Sequence, residues 1–194
     1  MKLRIASGNA HKISEIRQIF HDLPIEVSGF QDWPAPIEDG ETFEENAVKK
    51  VEALPLVPNE IYLADDSGLE VDVLGGAPGI FSARYAEPGK ECRKLLDELG
   101  SNSNRNAHFT CVIALAFPTG DIHTVRGEAH GTISTLICGE KGFGYDPIFI
   151  PNGHDRTFAE MTPQEKNNLS HRNIALQQAR AYLLEFIRSH AVGA

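Results

Sequence analysis

The chain has 194 residues, 41% of them apolar and 23% charged, and carries a formal net charge of −9. That length and balance suit residues 1–194 as a single domain, or two lobes sharing a core, with enough chain to bury a sizeable interior. The acidic sign argues against a nucleic-acid duplex as the main partner, because phosphate backbones call for a basic footprint.

No apolar run approaches the ~18 residues of a membrane span, and the opening MKLRIASGNAHK turns polar too early for a signal peptide. Cys92, Cys111 and Cys138 are odd in number and widely spaced, with no zinc-like or disulfide pattern. A cytoplasmic protein is the expectation. A polyphosphate would be repelled by this field, so phosphate chemistry here needs a metal and a few well-placed cations.

Leu3-Arg4-Ile5 reads as a first strand and Ser7-Gly8-Asn9 as a turn. Helical spacing follows at Ile13, Ile16 and Phe20, and Pro24 closes it. Residues 25–30 suggest a second strand, and 31–41 a loop rich in proline and acids. Thr42 and Glu45 form a capping-box pattern that starts a helix at Phe43, to stop before Pro55. Residues 60–65 are strand-like, whereas 68–89 are glycine-rich with little regular pattern and offer a crossing between lobes.

A short helix over 90–99 ends at Gly100. Residues 107–117 read as a buried strand, 118–120 as a turn and 121–134 as hairpin strands. Thr162 and Glu165 mark a second capping box, and Ser170 caps a last helix with the stripe Ala175, Ala179, Tyr182, Leu183 and Phe186. Early β/α alternation followed by an antiparallel stretch gives a mixed α/β fold.

Several constellations suit chemistry. Ser7 through Lys12 (Ser7, Gly8, Asn9, Ala10, His11, Lys12) lie where a strand hands over to a helix, whose first N–H groups favour an anion. The spacing is not that of a P-loop, and a plain turn with Asn9 capping a helix fits as well. Glu38, Asp39, Glu41, Glu44 and Glu45 put five acids in eight positions. They suit a solvated helix start, or one or two of them suit Mg²⁺, which takes a few carboxylates with water and phosphate.

Asp65-Asp66-Ser67-Gly68 follows an apolar strand, and alternation sends only one Asp into a shared site, leaving open which. Turn chemistry competes there. Phe143 and Tyr145 among the glycines of 142–146 suit stacking on a base, or a structural aromatic corner. Lys166, His171 and Arg172 sit at a helix break, as surface charges or as donors for a 6-oxo purine.

Taken in order, SGNAHK, DDSGLEVDVLGGAPGIFSARYA, GFGYDPIF and KNNLSHR resemble the inosine triphosphate pyrophosphatase family, the non-canonical purine NTP pyrophosphatases, nearly end to end. The resemblance implies an elongated mixed α/β sheet flanked by helices, two lobes with the active site in the cleft between them, and a homodimer. It implies hydrolysis of ITP, dITP and XTP between the α and β phosphates.

By position, residues 7–12 would hold phosphates, and Glu38 and Asp66 would bind Mg²⁺. Asp66 would also activate water, Lys50 would assist catalysis, and Ser67 would touch substrate. Phe143, Gly144, Tyr145 and Asp146, with Lys166, His171 and Arg172, would recognise the base. The chain departs from the family pattern at Glu91, where Asn is expected, and at Asn173, where Gly is usual. The competing readings are a Maf-type pyrophosphatase, which should carry Arg at position 12 and lack Ser-His-Arg, and a non-catalytic nucleotide sensor, which should lack a metal carboxylate.

Overall fold

The computed structural model describes residues 1–30 and 35–191, with the side chains of His11, His190 and Ala191 outside the description. Part of the expected 31–41 loop therefore lies outside the described residues. Among the described residues the strands and α-helices are, in order, β1 (Lys2–Ile5), α1 (Ala10–Ile19), β2 (Glu26–Gly29), α2 (Phe43–Glu52), β3 (Glu60–Val71), α3 (Glu91–Leu99), β4 (Asn106–Ala116), β5 (Ile122–Ile133), β6 (Phe149–Pro151), α4 (Pro163–Leu169) and α5 (His171–Ala191).

The strands form one six-stranded mixed sheet in the order β2-β1-β3-β4-β5-β6. β1 runs parallel to β2 and to β3, with Leu3 level with Val27 and Ile61, while β5 and β6 are antiparallel. This is the α/β class expected. Among the described residues, no helix is long and apolar enough to cross a membrane.

The chain divides into two compact units, one of residues 1–66, 111–127 and 174–194, the other of 67–110 and 128–173. The glycine-rich 68–89 stretch lies wholly inside the second unit, so it is not the crossing. The chain passes between units within β3, β4, β5 and the start of α5 instead.

The first unit buries Leu3 and Ile5 of β1, Ile16 and Phe20 of α1, and Cys111, Ile113 and Leu115 of β4 with Ala175, Leu176, Ala179 and Leu183 of α5. Val112, Ala114 and Ala116 are buried too, so this part of β4 is covered on both faces and reads as an unbroken apolar run. Of the stripe expected on α5, Tyr182 is 43% exposed and stacks on His123. The second unit packs Leu69, Val71, Leu95, Leu99, Phe109, Phe149 and Phe158 together, with Phe109 edge-on to Phe149.

Candidate active site

Helix α2 begins where Thr42 Oγ accepts the Glu45 N–H at 3.1 Å. The other arm of the expected box goes one residue further back, to the Glu41 N–H at 2.8 Å. The buried face of α2 carries Phe43, Asn46, Ala47, Lys50 and Val51, the i, i+3, i+4, i+7, i+8 positions of an apolar stripe. Two of those five are polar, and both turn to β3. The Lys50 ammonium lies 3.0 Å from the Asp65 carbonyl oxygen, 3.1 Å from Glu38 Oε1 and 3.4 Å from Asp66 Oδ1.

Asn46 completes the arrangement. Its Oδ1 accepts the buried Gly40 N–H at 2.8 Å, which requires the oxygen on that side and leaves the amide to donate to Asp66 Oδ2 at 3.1 Å. A Cβ on Gly40 would fall 2.6 Å from that oxygen, so glycine is what permits the approach. Asp66 is 7% exposed. Burial pushes its carboxyl pKa up, against the opposing pull of Lys50 and Asn46. Burial works against the Lys50 ammonium as well, yet Asp66, Asp65 and Glu38 hold its pKa above the ordinary lysine value.

The two adjacent acids take opposite directions, as strand alternation requires. Asp65 pairs with Lys12, Nζ to Oδ2 at 2.8 Å, while Asp66 faces α2. They are not at the end of a strand before a turn. β3 continues to Val71 because Leu69 and Val71 enter the second core, which outweighs the turn preference of Asp-Ser-Gly. At the start of α1, Ser7 Oγ accepts the Asn9 N–H at 3.2 Å and Asn9 Oδ1 accepts the Lys12 N–H at 3.3 Å. Asn9 therefore caps the helix, and Gly8 and Ala10 shape the turn around it.

Glu38 and Asp66 converge on one cationic point, and their oxygens form the donor set that Mg²⁺ prefers, a few carboxylates with room for water and phosphate. Among the described residues no three His, Cys, Asp or Glu side chains form a closed metal cage. The residues present fit Mg²⁺ shared with a substrate.

The second unit assembles a different group. Asp146, 3% exposed, accepts the Phe143 N–H at 2.8 Å and the Lys166 ammonium at 2.6 Å, both on Oδ2. Lys166 also sits 4.7 Å from the centre of the Phe143 ring, which is 42% exposed. Arg172 Nη2 donates to Ser67 Oγ at 3.3 Å, and the His171 ring stacks on Phe109 at 4.7 Å.

For Tyr145 and Asp146, expected to help recognise the base, the structure gives burial and partners around the loop. Tyr145 is 4% exposed and gives its hydroxyl proton to the Ser82 carbonyl at 3.1 Å, and the Asp146 carboxylate is committed to its neighbours. They hold the loop, and Phe143 with Gly144 forms its outer part.

The Ham1 family profile matches residues 3–182. The chain belongs to the Ham1 family. A relative from Leuconostoc mesenteroides named dITP/XTP pyrophosphatase is 49% identical over 92% of this chain and 94% of its own, and one of the same name from Desulfotalea psychrophila is 42% identical over 95% and 86%. The Ham1 protein of Staphylococcus aureus superposes with a TM-score of 0.85 at 40% identity, covering 95% of this chain and 99% of that one. A Ham1 protein from Coxiella burnetii gives 0.86 at 38% identity over the same shares.

Within this Ham1 chain, sequence reasoning missed Asn46. The signal was present, since an amide on the apolar stripe of a helix must meet a buried polar partner. It also missed Ser82 and Cys92, whose thiol donates to the Gly144 carbonyl at 3.2 Å. Burial pushes that thiol up to about 12, so it serves as packing and not as a nucleophile.

Proposed function

We propose that this chain hydrolyses non-canonical purine nucleoside triphosphates (ITP, dITP and XTP) to the monophosphate and pyrophosphate. The observation that carries the reading is the pair of carboxylates, Glu38 and Asp66, gathered on the buried Lys50 ammonium, in a chain of the same family as relatives named for this activity.

The residues of the first unit suit the phosphates. Lys12, kept in place by Asp65, and the N–H groups opening α1 bind and orient the anion. Lys50 offsets charge that develops on the leaving pyrophosphate. Asp66, oriented by the Asn46 amide, takes the proton of the attacking water. Mg²⁺ held by Glu38 and Asp66 would supply charge neutralisation and a more acidic water.

The residues of the second unit suit the base. Lys166 and Arg172 present donors to a purine 6-oxygen beside the Phe143 ring. Adenine has an amino group there, which leaves such donors unpaired at ~1–3 kcal/mol each. Two such mismatches reject ATP strongly, whereas one gives only about tenfold to a hundredfold. Ser7, Gly8, Asn9, His11 and Ser67 complete the proposed substrate contacts, and the enzyme acts as a homodimer on the cytoplasmic nucleotide pool.

The test is to incubate the protein with ITP, XTP, ATP, GTP and dTTP, with and without Mg²⁺, and to assay pyrophosphate separately from orthophosphate. Magnesium-dependent pyrophosphate release from ITP and XTP, far above ATP and GTP, is expected. Orthophosphate would place attack at the γ position and overturn the assignment, and binding without turnover would favour a nucleotide sensor. Light scattering on the eluted protein tests the dimer.

A further inference from the structure

The second unit has to hold two stretches of chain in register. One is the Ser67–Leu69 part of β3, which meets Arg172 through Ser67, and the other is the 142–146 loop. β1 accompanies β3 only as far as Leu63. Further along, the strand takes partners from the chain that follows it. The Val71 N–H donates to the Ala77 carbonyl at 3.2 Å, and Glu70 bridges to Pro78. The Leu69 N–H donates to a side chain, Ser82 Oγ, at 2.9 Å.

Ser82 lies on a short 3₁₀ turn, Gly79–Arg84. Its hydroxyl proton goes to the Gly79 carbonyl at 2.7 Å, which aims the oxygen lone pairs at Leu69. Its own carbonyl accepts the buried Tyr145 hydroxyl at 3.1 Å. Tyr145 stands between Gly144, whose carbonyl takes the Cys92 thiol, and Asp146, whose carboxylate fixes Phe143 and Lys166. One serine therefore ties the strand, two residues beyond Ser67, to the loop at Tyr145.

We propose that Ser82 is a positioning residue for base selection, holding the Ser67–Arg172 pair and the Phe143–Asp146–Lys166 group in fixed register. This rests on the reading that those groups face the base. Alanine at 82 keeps the turn and its packing but leaves the Leu69 N–H without an acceptor, and the strand and the loop then move independently. A shift of a few tenths of an ångström is felt in discrimination before it is felt in the chemical step, because the reacting groups belong to the first unit.

The test compares Ser82→Ala, Ser82→Thr and Tyr145→Phe with the wild type. For Ser82→Ala, KM for ITP should rise about tenfold with kcat within about threefold, and the ITP-over-ATP ratio in kcat/KM should fall about tenfold. Threonine should restore both. Tyr145→Phe, which keeps the buried ring and loses one hydroxyl, should move the ratio in the same direction by a smaller factor.

Amide exchange at Leu69 and Phe143, measured without nucleotide, should quicken by about tenfold in Ser82→Ala while α5 stays protected. A lower melting temperature with wild-type KM, ratio and Phe143 exchange would overturn the proposal and leave Ser82 a scaffold residue. Should the wild type not prefer ITP over ATP, the base-site reading fails by itself, and the exchange rates still decide whether Ser82 couples strand to loop.

Discussion

The side-chain amide of Asn46 donates to Asp66 Oδ2 at 3.1 Å, and the same side chain accepts the Gly40 N–H. The carboxylate proposed as the base is thus oriented by a helix residue that is itself oriented by a loop. Asn46→Ala leaves both partners short of a hydrogen bond in a buried setting, at about 1–3 kcal/mol. We expect turnover of ITP to fall by about tenfold to a hundredfold, with a lower midpoint in urea. Steady-state pyrophosphate release and a urea titration check this, and full activity in a destabilised variant would remove Asn46 from the site.

Lys50 and Asp66 separate stability from chemistry. Lys50→Met removes the cation shared by Glu38 and Asp66 and leaves a buried carboxylate uncompensated, which costs roughly 3–5 kcal/mol in such settings. Asp66→Asn keeps the shape and the Asn46 contact within reach, so the fold survives while turnover drops by several orders of magnitude. Circular dichroism melts alongside single-turnover assays distinguish the two; near-normal turnover in Asp66→Asn refutes the base assignment.

Gly142 has φ +77°, and a Cβ there would stand 2.0 Å from Asp146 Oδ2. Gly142→Ala therefore meets left-handed strain of roughly 1–2 kcal/mol and a direct clash with the carboxylate that holds Phe143 and Lys166. The expected outcome is a lower melting temperature with a larger loss in ITP-over-ATP selectivity than in kcat. Calorimetry and paired kinetics on the two nucleotides measure it.

Glu165 closes the capping box of α4, the helix that carries Lys166. The Thr162 N–H, then Arg156, hold its carboxyl at about 2, well under the ordinary 4.5. A depressed carboxyl stabilises the fold fully above its unfolded value and loses that contribution as pH falls through its folded value. The difference in melting temperature between wild type and Glu165→Gln should be constant above pH ~4.5 and vanish toward pH ~2. A difference that persists unchanged at the acid end would show that the charge is irrelevant to the cap.

Much of the fold is legible from the sequence because its elements carry local punctuation. Thr42 and Thr162 announce α2 and α4, Gly100 ends α3, and Ser170 Oγ does cap α5, accepting the Asn173 N–H at 3.1 Å. Where reading fell short, a distant partner decides. β3 runs six residues beyond Asp65 because its later residues fill a core built from α3, β4 and α4-proximal chain, and no local pattern records that. The Thr157–Glu160 capping box was missed for a different reason, since it opens a turn of only three residues.

The chemistry divides in the same way. Residue types offer Lys12, the acids of 38–45 and the pair Asp65–Asp66, and only the family resemblance selects Glu38 and Asp66; which Asp of the pair faces α2 depends on the strand register. The roles of Tyr145 and Asp146 depend on burial, which an aromatic or an acid in a glycine-rich loop does not reveal. Asn46 lay on an apolar helix stripe, where its polarity was a readable clue.

The first unit draws its core from Leu3 and Ile5 near one end of the chain and from Ala175, Ala179 and Leu183 near the other. On a ribosome, β1 and α1 emerge long before the helix that completes their interior. The nascent β1–α1 segment must therefore wait with apolar faces uncovered until α5 has left the exit tunnel. Synthesis pace and chaperone capture thereby act on this unit before its interior is complete.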